Sequence, residues 1–346
     1  MIITRTPYRL SFFGGGTDYN PWFEENGGLV LAVGLAHYCY LTVRYLPPFF
    51  EHKSRIVYGE SEEVKNNQDI RHPSVRGCLE YLNISEGIEI HHDGDLPARS
   101  GLGSSSSFTV GLLHALYALK QQMKTPRRLA KEAIDVEHNW LKESVGIQDQ
   151  IMAAHGGFRI IEMGPDTNWT LKNMLLPKEY LKSLEDNVLL GFSGISRMAE
   201  QQAKNKVENI KQGKTNEELQ TIFSLAQEAL QSFQDQAGFN KIGRLLDQSW
   251  QCKRRLADGV SANWMDDLYQ TAIRNGAYGG KLMGAGGGGF FFLLLLQIST
   301  RKFEMHCLKS KSGFHSKSTI PDRKLFFTMR IESKINIDLL IVILCL

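Results

Sequence analysis

The stretch LPARSGLGSSSSFTVGLLHALYAL, residues 96–119, joins a loop rich in glycine and serine to a strongly apolar segment. The apolar side chains recur at the spacing of a buried helix face, with Phe108, Leu112, Leu113, Leu116 and Leu119 on one side. The residues before the loop, GIEIHHDG (87–94), have the composition of a strand. A helix needs one capping residue at its start, so four consecutive serines call for another explanation.

A strand, a glycine-rich loop and a helix start form a suitable site for phosphate. Glycines let backbone N–H groups approach an anion, and the helix start adds unsatisfied donors with a partial positive charge. No lysine follows the loop, as a Walker loop requires, and Ser106 stands where a dinucleotide fingerprint has its third glycine. The alternative is a flexible surface loop. The flanking strand and buried helix favour phosphate binding.

The whole chain has the composition of a globular protein. It contains 346 residues, with 42% hydrophobic and 22% charged residues and a net charge of +3. That charge is too small to indicate a nucleic-acid or membrane partner. The five cysteines have no metal-ligand spacing, and the start of the chain has no signal-peptide pattern, so we expect reduced thiols and a cytoplasmic location.

Strands followed by helices predict an α+β fold. The first ninety residues are mostly β-branched and aromatic with glycine breaks, and residues 198–275 have polar, helical periodicity. We expect an N-terminal domain over residues 1–160, a C-terminal domain over 161–296 and a divergent tail over 297–346.

Two further glycine-rich stretches occur. SFFGGGTDY (11–19) is typical of a turn that presents a carboxylate, although on its own an ordinary hairpin turn explains it better. KLMGAGGGGFFF (281–292) matches the spacing of a dinucleotide fingerprint, but an apolar strand-like run follows instead of a helix, so that interpretation fails. Four consecutive glycines still indicate a close backbone approach, because they are entropically costly to order.

Two carboxylates occupy apolar surroundings. At 100° per residue, Glu137 falls within the apolar stripe of the helix predicted after Pro126. It lies at the edge of the stripe and extends its carboxylate toward solvent, or pairs with an arginine, or binds a metal ion. Asp149 is flanked by Ile147, Ile151 and Met152, and either caps the chain locally or has a functional role.

Together these stretches resemble the GHMP small-molecule kinases. PYRLSFFGGGTDY, LPARSGLGSSSSF and KLMGAGGGGF match the three family motifs in order, and EHNWLKESVGIQDQ is similar to the family's Glu…Asp segment. The resemblance covers residues 1 to about 292. It implies a two-domain fold, with an N-terminal part like ribosomal protein S5 and a ferredoxin-like C-terminal part. It also implies ATP and Mg²⁺ as cofactors.

The resemblance assigns roles to individual residues. Asp149 would be the general base, with Arg9 beside it, while Ser105 and Glu137 would hold Mg²⁺. The ATP phosphates would lie against Ser100, Gly101, Leu102, Gly103, Ser104, Ser105, Ser106 and Ser107. The acceptor would lie against Gly16, Thr17, Asp18, Tyr19, Gly286 and Gly287.

Within the family, the triple glycine at 14–16 resembles kinases that phosphorylate the anomeric hydroxyl of a heptose 7-phosphate. This implies a small sugar phosphate as substrate and hence an anion site, which we expect at Gly194, Ser196 and Arg197. Two alternatives remain: a kinase of another sugar, of fucose or galactose type, or a degenerate homologue that binds ligands without turnover. The oligomeric state is not predicted.

The family pattern stops near residue 295. Relatives continue with a strand, an amphipathic helix and a closing strand, whereas residues 297–346 become basic and end in the apolar run IDLLIVILCL. That run has ten residues, and about 20 are needed to span a bilayer. We expect the segment after about residue 295 to be frame-shifted relative to an active relative, which translation of the gene in its other frames would test.

Overall fold

The computed structural model describes residues 1–165, 168–192, 199–295 and 342–343, with the backbone alone at 199–201 and 342–343. Within these residues one sheet contains eight strands: β1 (Ile2–Phe13), β2 (Gly28–Tyr45), β3 (Ser54–Val57), β4 (Ser61–Val64), β5 (Ile88–Gly94), β6 (Phe158–Met163), β7 (Trp169–Asn173) and β11 (Val342–Ile343). A second sheet contains β8 (Val188–Phe192), β9 (Ala277–Leu282) and β10 (Phe290–Leu295).

The long strand β2 organises the first sheet. It pairs with β1 along one side, and on the other side with β6 at its start and β5 at its end. These pairings are antiparallel, whereas β3 and β5 are parallel. The register between β1 and β2 shifts between Pro7 and Arg9. A register shift of this kind changes the direction in which the neighbouring side chains point, and Arg9 directly follows the shift.

The helices of the N-terminal part are α1 (Asn20–Asn26), α2 (Pro73–Tyr81), α3 (Ser104–Leu119), α4 (Pro126–Asp135) and α5 (Gln148–His155). The predicted buried helix is α3, which packs on β1 and β2. The hydroxyl of Thr125 caps α4 by accepting a hydrogen bond from the backbone N–H of Arg128. A π-helical turn, Val136–Trp140, extends α4 and carries Glu137.

The C-terminal part packs helices against the second sheet, whose antiparallel strand order is β8-β10-β9. Its helices are α6 (Lys178–Asp186), α7 (Ala199–Lys211), α8 (Asn216–Gln234), α9 (Phe239–Arg254) and α10 (Asn263–Arg274). The expected helical region is therefore present, and a strand follows the last glycine-rich stretch. The predicted α+β class is confirmed.

An aromatic cluster connects the two parts. The ring of Phe12 in β1 lies 5.3 Å from that of Phe158 in β6, 5.9 Å from that of Phe233 in α8 and 4.9 Å from that of Phe292 in β10. Ring pairs at these separations contribute beyond their buried area. The apolar core therefore runs from one sheet into the other, which fixes the glycine-rich loops of both parts against each other.

The division expected near residue 160 falls inside β6. Both β6 and β7 belong to the first sheet, which continues to Asn173. The division into domains stays a prediction. Residues 297–346 lie outside the described residues, except that the backbone of 342–343 pairs with Ile2 and Ile3 at the edge of β1. The frame-shift hypothesis is therefore not tested.

Candidate active site

The loop before α3 forms a polar cradle. Gly101 and Gly103 have φ angles of 83° and 77°, in the left-handed region that favours glycine. Gly103 is the cap residue of α3 and has no side chain to accept from the N–H groups of the first turn. The Arg9 backbone N–H donates to the Leu102 carbonyl (3.0 Å) and holds the loop on β1. A helix start with free donors suits an anion.

Arg9 and Asp149 meet beside this loop. The guanidinium donates from Nε to Oδ1 and from Nη2 to Oδ2 of Asp149, each at 2.7 Å, and from Nη1 to the Gly101 carbonyl at 2.6 Å. A Cβ added at Gly103 would lie 3.5 Å from Asp149 Oδ2, so the carboxylate lies directly against the loop. The Arg9 side chain is 6% exposed and that of Asp149 25%. Asp149 can therefore be reached by a ligand while its orientation is fixed.

Asp18 is a second carboxylate at this place and is fully buried. Its Oδ1 accepts from the Gly16 backbone N–H (2.8 Å), and its Oδ2 accepts from Gln148 Nε2 (2.9 Å). A Cβ on Gly146 would lie 2.0 Å from Asp18 Oδ2, so only glycine fits there. Burial raises the pKa of Asp18, and the nearby charge of Asp149 adds to this effect.

Glu137 lies behind the loop and is fully buried, as the apolar stripe predicts. Its Oε2 accepts from Ser106 Oγ (3.0 Å) and from Gln150 Nε2, whereas Oε1 has no partner among the described residues. Burial raises its pKa to about 8. A buried carboxylate oxygen without a donor is costly unless a proton or a cation satisfies it.

The serine beside Glu137 differs from the one expected. Ser105 was expected to share a metal with Glu137, but the structure places the Ser106 hydroxyl against that carboxylate and leaves Ser105 exposed. The reason is geometric: consecutive residues of a helix point about 100° apart, so only one of the two can face the π-helical turn.

The glycine-rich stretch over residues 281–292, the third along the chain, packs on the loop before α3. A Cβ on Gly284 would lie 2.5 Å from Gly101 Cα, and a Cβ on Gly289 would lie 2.4 Å from the Ser100 carbonyl oxygen. The Phe290 N–H also donates to that oxygen (3.1 Å). Gly284 and Gly289 therefore permit the close backbone approach that this glycine-rich sequence indicated. They brace the loop before α3 from the side of the second sheet.

The residues expected to bind an acceptor fall into two groups. Gly16 and Tyr19 lie next to Asp18. The Thr17 hydroxyl forms a hydrogen bond within the same turn, donating to the Gly14 carbonyl (2.8 Å). Gly286 and Gly287 contact the Val260 backbone instead, with the Gly287 N–H donating to the Val260 carbonyl (3.1 Å). Gly194, Ser196 and Arg197 lie outside the described residues.

Three lysines buried near this site were not predicted from the sequence: Lys206 in α7, Lys253 in α9 and Lys281 in β9. Gln148 and Gln150, which donate hydrogen bonds to the carboxylates of Asp18 and Glu137, were not predicted either. At Lys281 the sequence did offer a sign, because a lysine stands among apolar and glycine residues shortly before Gly284. Nothing in the polar sequence of α7 distinguishes Lys206 from its exposed neighbours.

Known families match both parts of the chain. The family described as GHMP kinases N terminal domain matches residues 73–157, and that described as GHMP kinases C terminal matches residues 226–297. The chain belongs to the GHMP kinase family. It is therefore a kinase, a phosphotransferase with an alcohol group as acceptor.

Full-length relatives of this GHMP kinase have modest identity. A D-glycero-alpha-D-manno-heptose 7-phosphate kinase from Campylobacter jejuni is 29% identical over 302 residues, which cover 82% of this chain and 86% of that protein. A galactokinase from Pyrococcus furiosus is 26% identical, with the same two coverages.

Solved structures share the fold. A D-glycero-D-manno-heptose 1-phosphate kinase from Bacteroides thetaiotaomicron has a TM-score of 0.71 at 20% identity and covers 88% of this chain and 92% of its own. The Lactococcus lactis galactokinase complexed with galactose has a TM-score of 0.71 at 18% identity, covering 95% and 93%. The described part of the chain contains no helix with the length and apolar character needed to cross a bilayer.

The contact between the two glycine-rich loops predicts the cost of a methyl group. In Gly101→Ala of this GHMP kinase, the new Cβ would lie 2.6 Å from the Met283 carbonyl oxygen, on a backbone with a φ of 83°. Left-handed backbone alone costs about 1–2 kcal/mol for a residue with a Cβ. We expect a fall in Tm of at least several degrees in a thermal melt. Gly59→Ala is the matched control, because its Cβ meets nothing within 4 Å. Equal melting of the two variants would contradict the described loop contact.

Proposed function

We propose that this GHMP kinase transfers the terminal phosphoryl group of ATP to the anomeric hydroxyl of D-glycero-D-manno-heptose 7-phosphate. The observation that carries this proposal is the position of the Asp149 carboxylate, which accepts two hydrogen bonds from Arg9 and lies against the loop at the start of α3. A base at a phosphate-binding helix start is the arrangement that a kinase needs. The heptose 7-phosphate kinase among the relatives supports the choice of acceptor.

Asp149 is the proposed general base. Both of its oxygens accept from Arg9 and retain lone pairs for an acceptor hydroxyl. The two parallel hydrogen bonds fix the plane of the carboxylate, so the hydroxyl proton passes to an oxygen whose position is set beforehand. Arg9 is also placed to counter negative charge that develops on the transferred group.

The loop over residues 100–107 is the proposed phosphate site. Gly101 and Gly103 have left-handed backbone conformations and form the turn that leads into α3. The backbone N–H groups of the first turn of α3 can then donate to a phosphate. The Ser100 hydroxyl is buried without a partner among the described residues, so it is available to a bound group. Contacts with Arg9 and with the glycine-rich stretch over residues 281–292 hold the loop in this form, which lowers the cost of ordering it on binding.

The residues present fit a magnesium ion. The buried Oε1 of Glu137 lacks a donor, and oxygen ligands are what Mg²⁺ prefers. Glu137 would hold the ion together with a hydroxyl from the first turn of α3, Ser105 or Ser106. When bound, the ion neutralises charge on the phosphates.

Asp18 and Tyr19 are the proposed wall of the acceptor site. The Asp18 carboxylate is positioned by Gly16 and Gln148, and it lies close enough to Asp149 for their charges to interact. Its remaining lone pairs can accept from sugar hydroxyls. A rigid, buried carboxylate discriminates well between acceptor sugars, because an acceptor without the matching hydroxyl leaves the carboxylate without a hydrogen-bond donor.

The test is ATP consumption against a panel of acceptors: heptose 7-phosphate, unphosphorylated heptose, fucose and galactose. The last two are included because a bifunctional fucokinase/GDP-fucose pyrophosphorylase and galactokinases are also among the relatives. We expect turnover with heptose 7-phosphate, and a ³¹P NMR signal from a phosphate on the anomeric carbon of the product. Faster turnover of fucose or galactose would contradict the proposed acceptor. No turnover of any acceptor would favour the degenerate homologue.

A further inference from the structure

Three lysine side chains are buried beside the candidate site. Lys206, Lys253 and Lys281 are exposed by only 3%, 7% and 3%. Lysine is almost never fully buried without a partner, because removing an unpaired ammonium group from water is expensive. Among the described residues, no carboxylate oxygen lies within the 4.0 Å of an ion pair from any of the three. The described part of the protein therefore does not explain why these side chains are buried.

Their neighbours locate them at the acceptor side of the site. The Lys206 ammonium lies 5.5 Å from the centre of the Tyr19 ring, and Asp18 and Asp149 are the charges that act on it. The charges of Arg9, Asp18 and Lys206 act on the Lys281 ammonium group. Lys253 donates to the Leu282 carbonyl (2.7 Å), which satisfies one of its three donors.

The ionisable groups around this point are unequal in number. Arg9 and the three lysines can carry four positive charges, whereas Asp18 and Asp149 can carry two negative charges. A phosphate monoester, with a charge of about −1.5 to −2, supplies the missing negative charge. Burial lowers the pKa of each lysine, that of Lys281 to about 7. Neighbouring positive charges add to this effect at Lys253 and Lys281, and an anion among the lysines would oppose it.

We propose that Lys206 and Lys281 bind the phosphate group that the acceptor already carries, with Lys253 supporting them. The inference rests on the proposed function, since it assigns the phosphate of that acceptor to these side chains. The ATP phosphates are a poorer match for Lys206, because its ammonium group lies against Tyr19 of the proposed acceptor wall. The cluster would make the enzyme selective for a phosphorylated sugar, since an unphosphorylated one leaves the lysines without an anion.

The experiment compares binding to wild type, Lys206→Met and Lys281→Met, both of which keep the length of the side chain and remove its charge. The matched control is Lys211→Met, an exposed lysine on the same helix as Lys206. Calorimetry without ATP measures the affinity for heptose 7-phosphate and for unphosphorylated heptose, and a separate titration measures the affinity for ATP. A thermal melt confirms that each variant folds. Because an unpaired buried charge is removed, unliganded Lys206→Met and Lys281→Met should melt no lower than wild type.

We expect each of the two site variants to lose affinity for heptose 7-phosphate by about tenfold or more, which is typical of a lost charged hydrogen bond. Affinity for unphosphorylated heptose and for ATP should change less than about twofold, and Lys211→Met should match wild type. Equal losses for the phosphorylated and unphosphorylated sugar, or a loss for ATP alone, would overturn the inference. If wild type turns over heptose 7-phosphate and the site variants bind it normally, the inference fails while the proposed function stands. If wild type neither binds nor turns it over, both fail.

Discussion

Asp149→Asn is expected to lower kcat by about 10²–10⁴-fold, the range for loss of a general base. The amide has nearly the same shape as the carboxylate but cannot take the proton of the acceptor hydroxyl. It also places an NH₂ group against the Arg9 guanidinium, where Asp149 now accepts two hydrogen bonds. Steady-state kinetics with saturating ATP measure the effect. KM for ATP should change little, because the loop before α3 is untouched.

Asp93→Asn is the control for this prediction, because Asp93 is an exposed aspartate in β5. It should retain the wild-type kcat. A kcat for Asp149→Asn within about twofold of wild type would remove Asp149 from the role of base. A rise in KM for the acceptor with unchanged kcat would instead make it a binding residue.

Arg9→Met is expected to lower kcat by about 10²–10³-fold, as is typical when one donor to a developing negative charge is lost. The variant removes both hydrogen bonds that orient Asp149 and the one to the Gly101 carbonyl. Arg9→Lys keeps the charge but cannot bond both carboxylate oxygens in the same plane, so we expect an intermediate loss. Initial rates over a range of acceptor concentrations give both values.

A stability measurement separates chemistry from folding for these variants. Arg9 is buried, so both substitutions should lower Tm, and the kinetics must be measured well below that temperature. If Arg9→Lys restored full activity, positive charge alone would be enough and the bidentate contact would have no catalytic role. If Arg9→Met retained wild-type kcat, the proposed role of Arg9 would be wrong.

Local patterns predicted much of the fold and part of the site. The periodicity of residues 108–119 identified α3, and the apolar stripe of the following helix placed Glu137 in a buried position. The glycines of the third stretch indicated a close approach that the structure finds at Gly101. These features could be read from sequence because each depends on the spacing of neighbouring residues.

Contacts between residues far apart in the sequence could not be predicted from local sequence patterns. Arg9 and Asp149 are 140 residues apart, and their association in the sequence analysis came from the family resemblance alone. The return of β6 and β7 to the first sheet depends on pairing with β2, which no local pattern encodes. That Ser106 and not Ser105 donates to the Glu137 carboxylate depends on the rotation of α3 against the π-helical turn.

The central claim is that the loop at the start of α3, Glu137 and Asp149 form one centre for phosphoryl transfer. A crystal structure with a non-hydrolysable ATP analogue, Mg²⁺ and heptose 7-phosphate tests it most directly. The account predicts the phosphates against residues 100–107, Mg²⁺ at the Glu137 carboxylate and the anomeric hydroxyl within about 3 Å of Asp149. A triphosphate bound away from this loop, or an acceptor hydroxyl out of reach of Asp149, would contradict it.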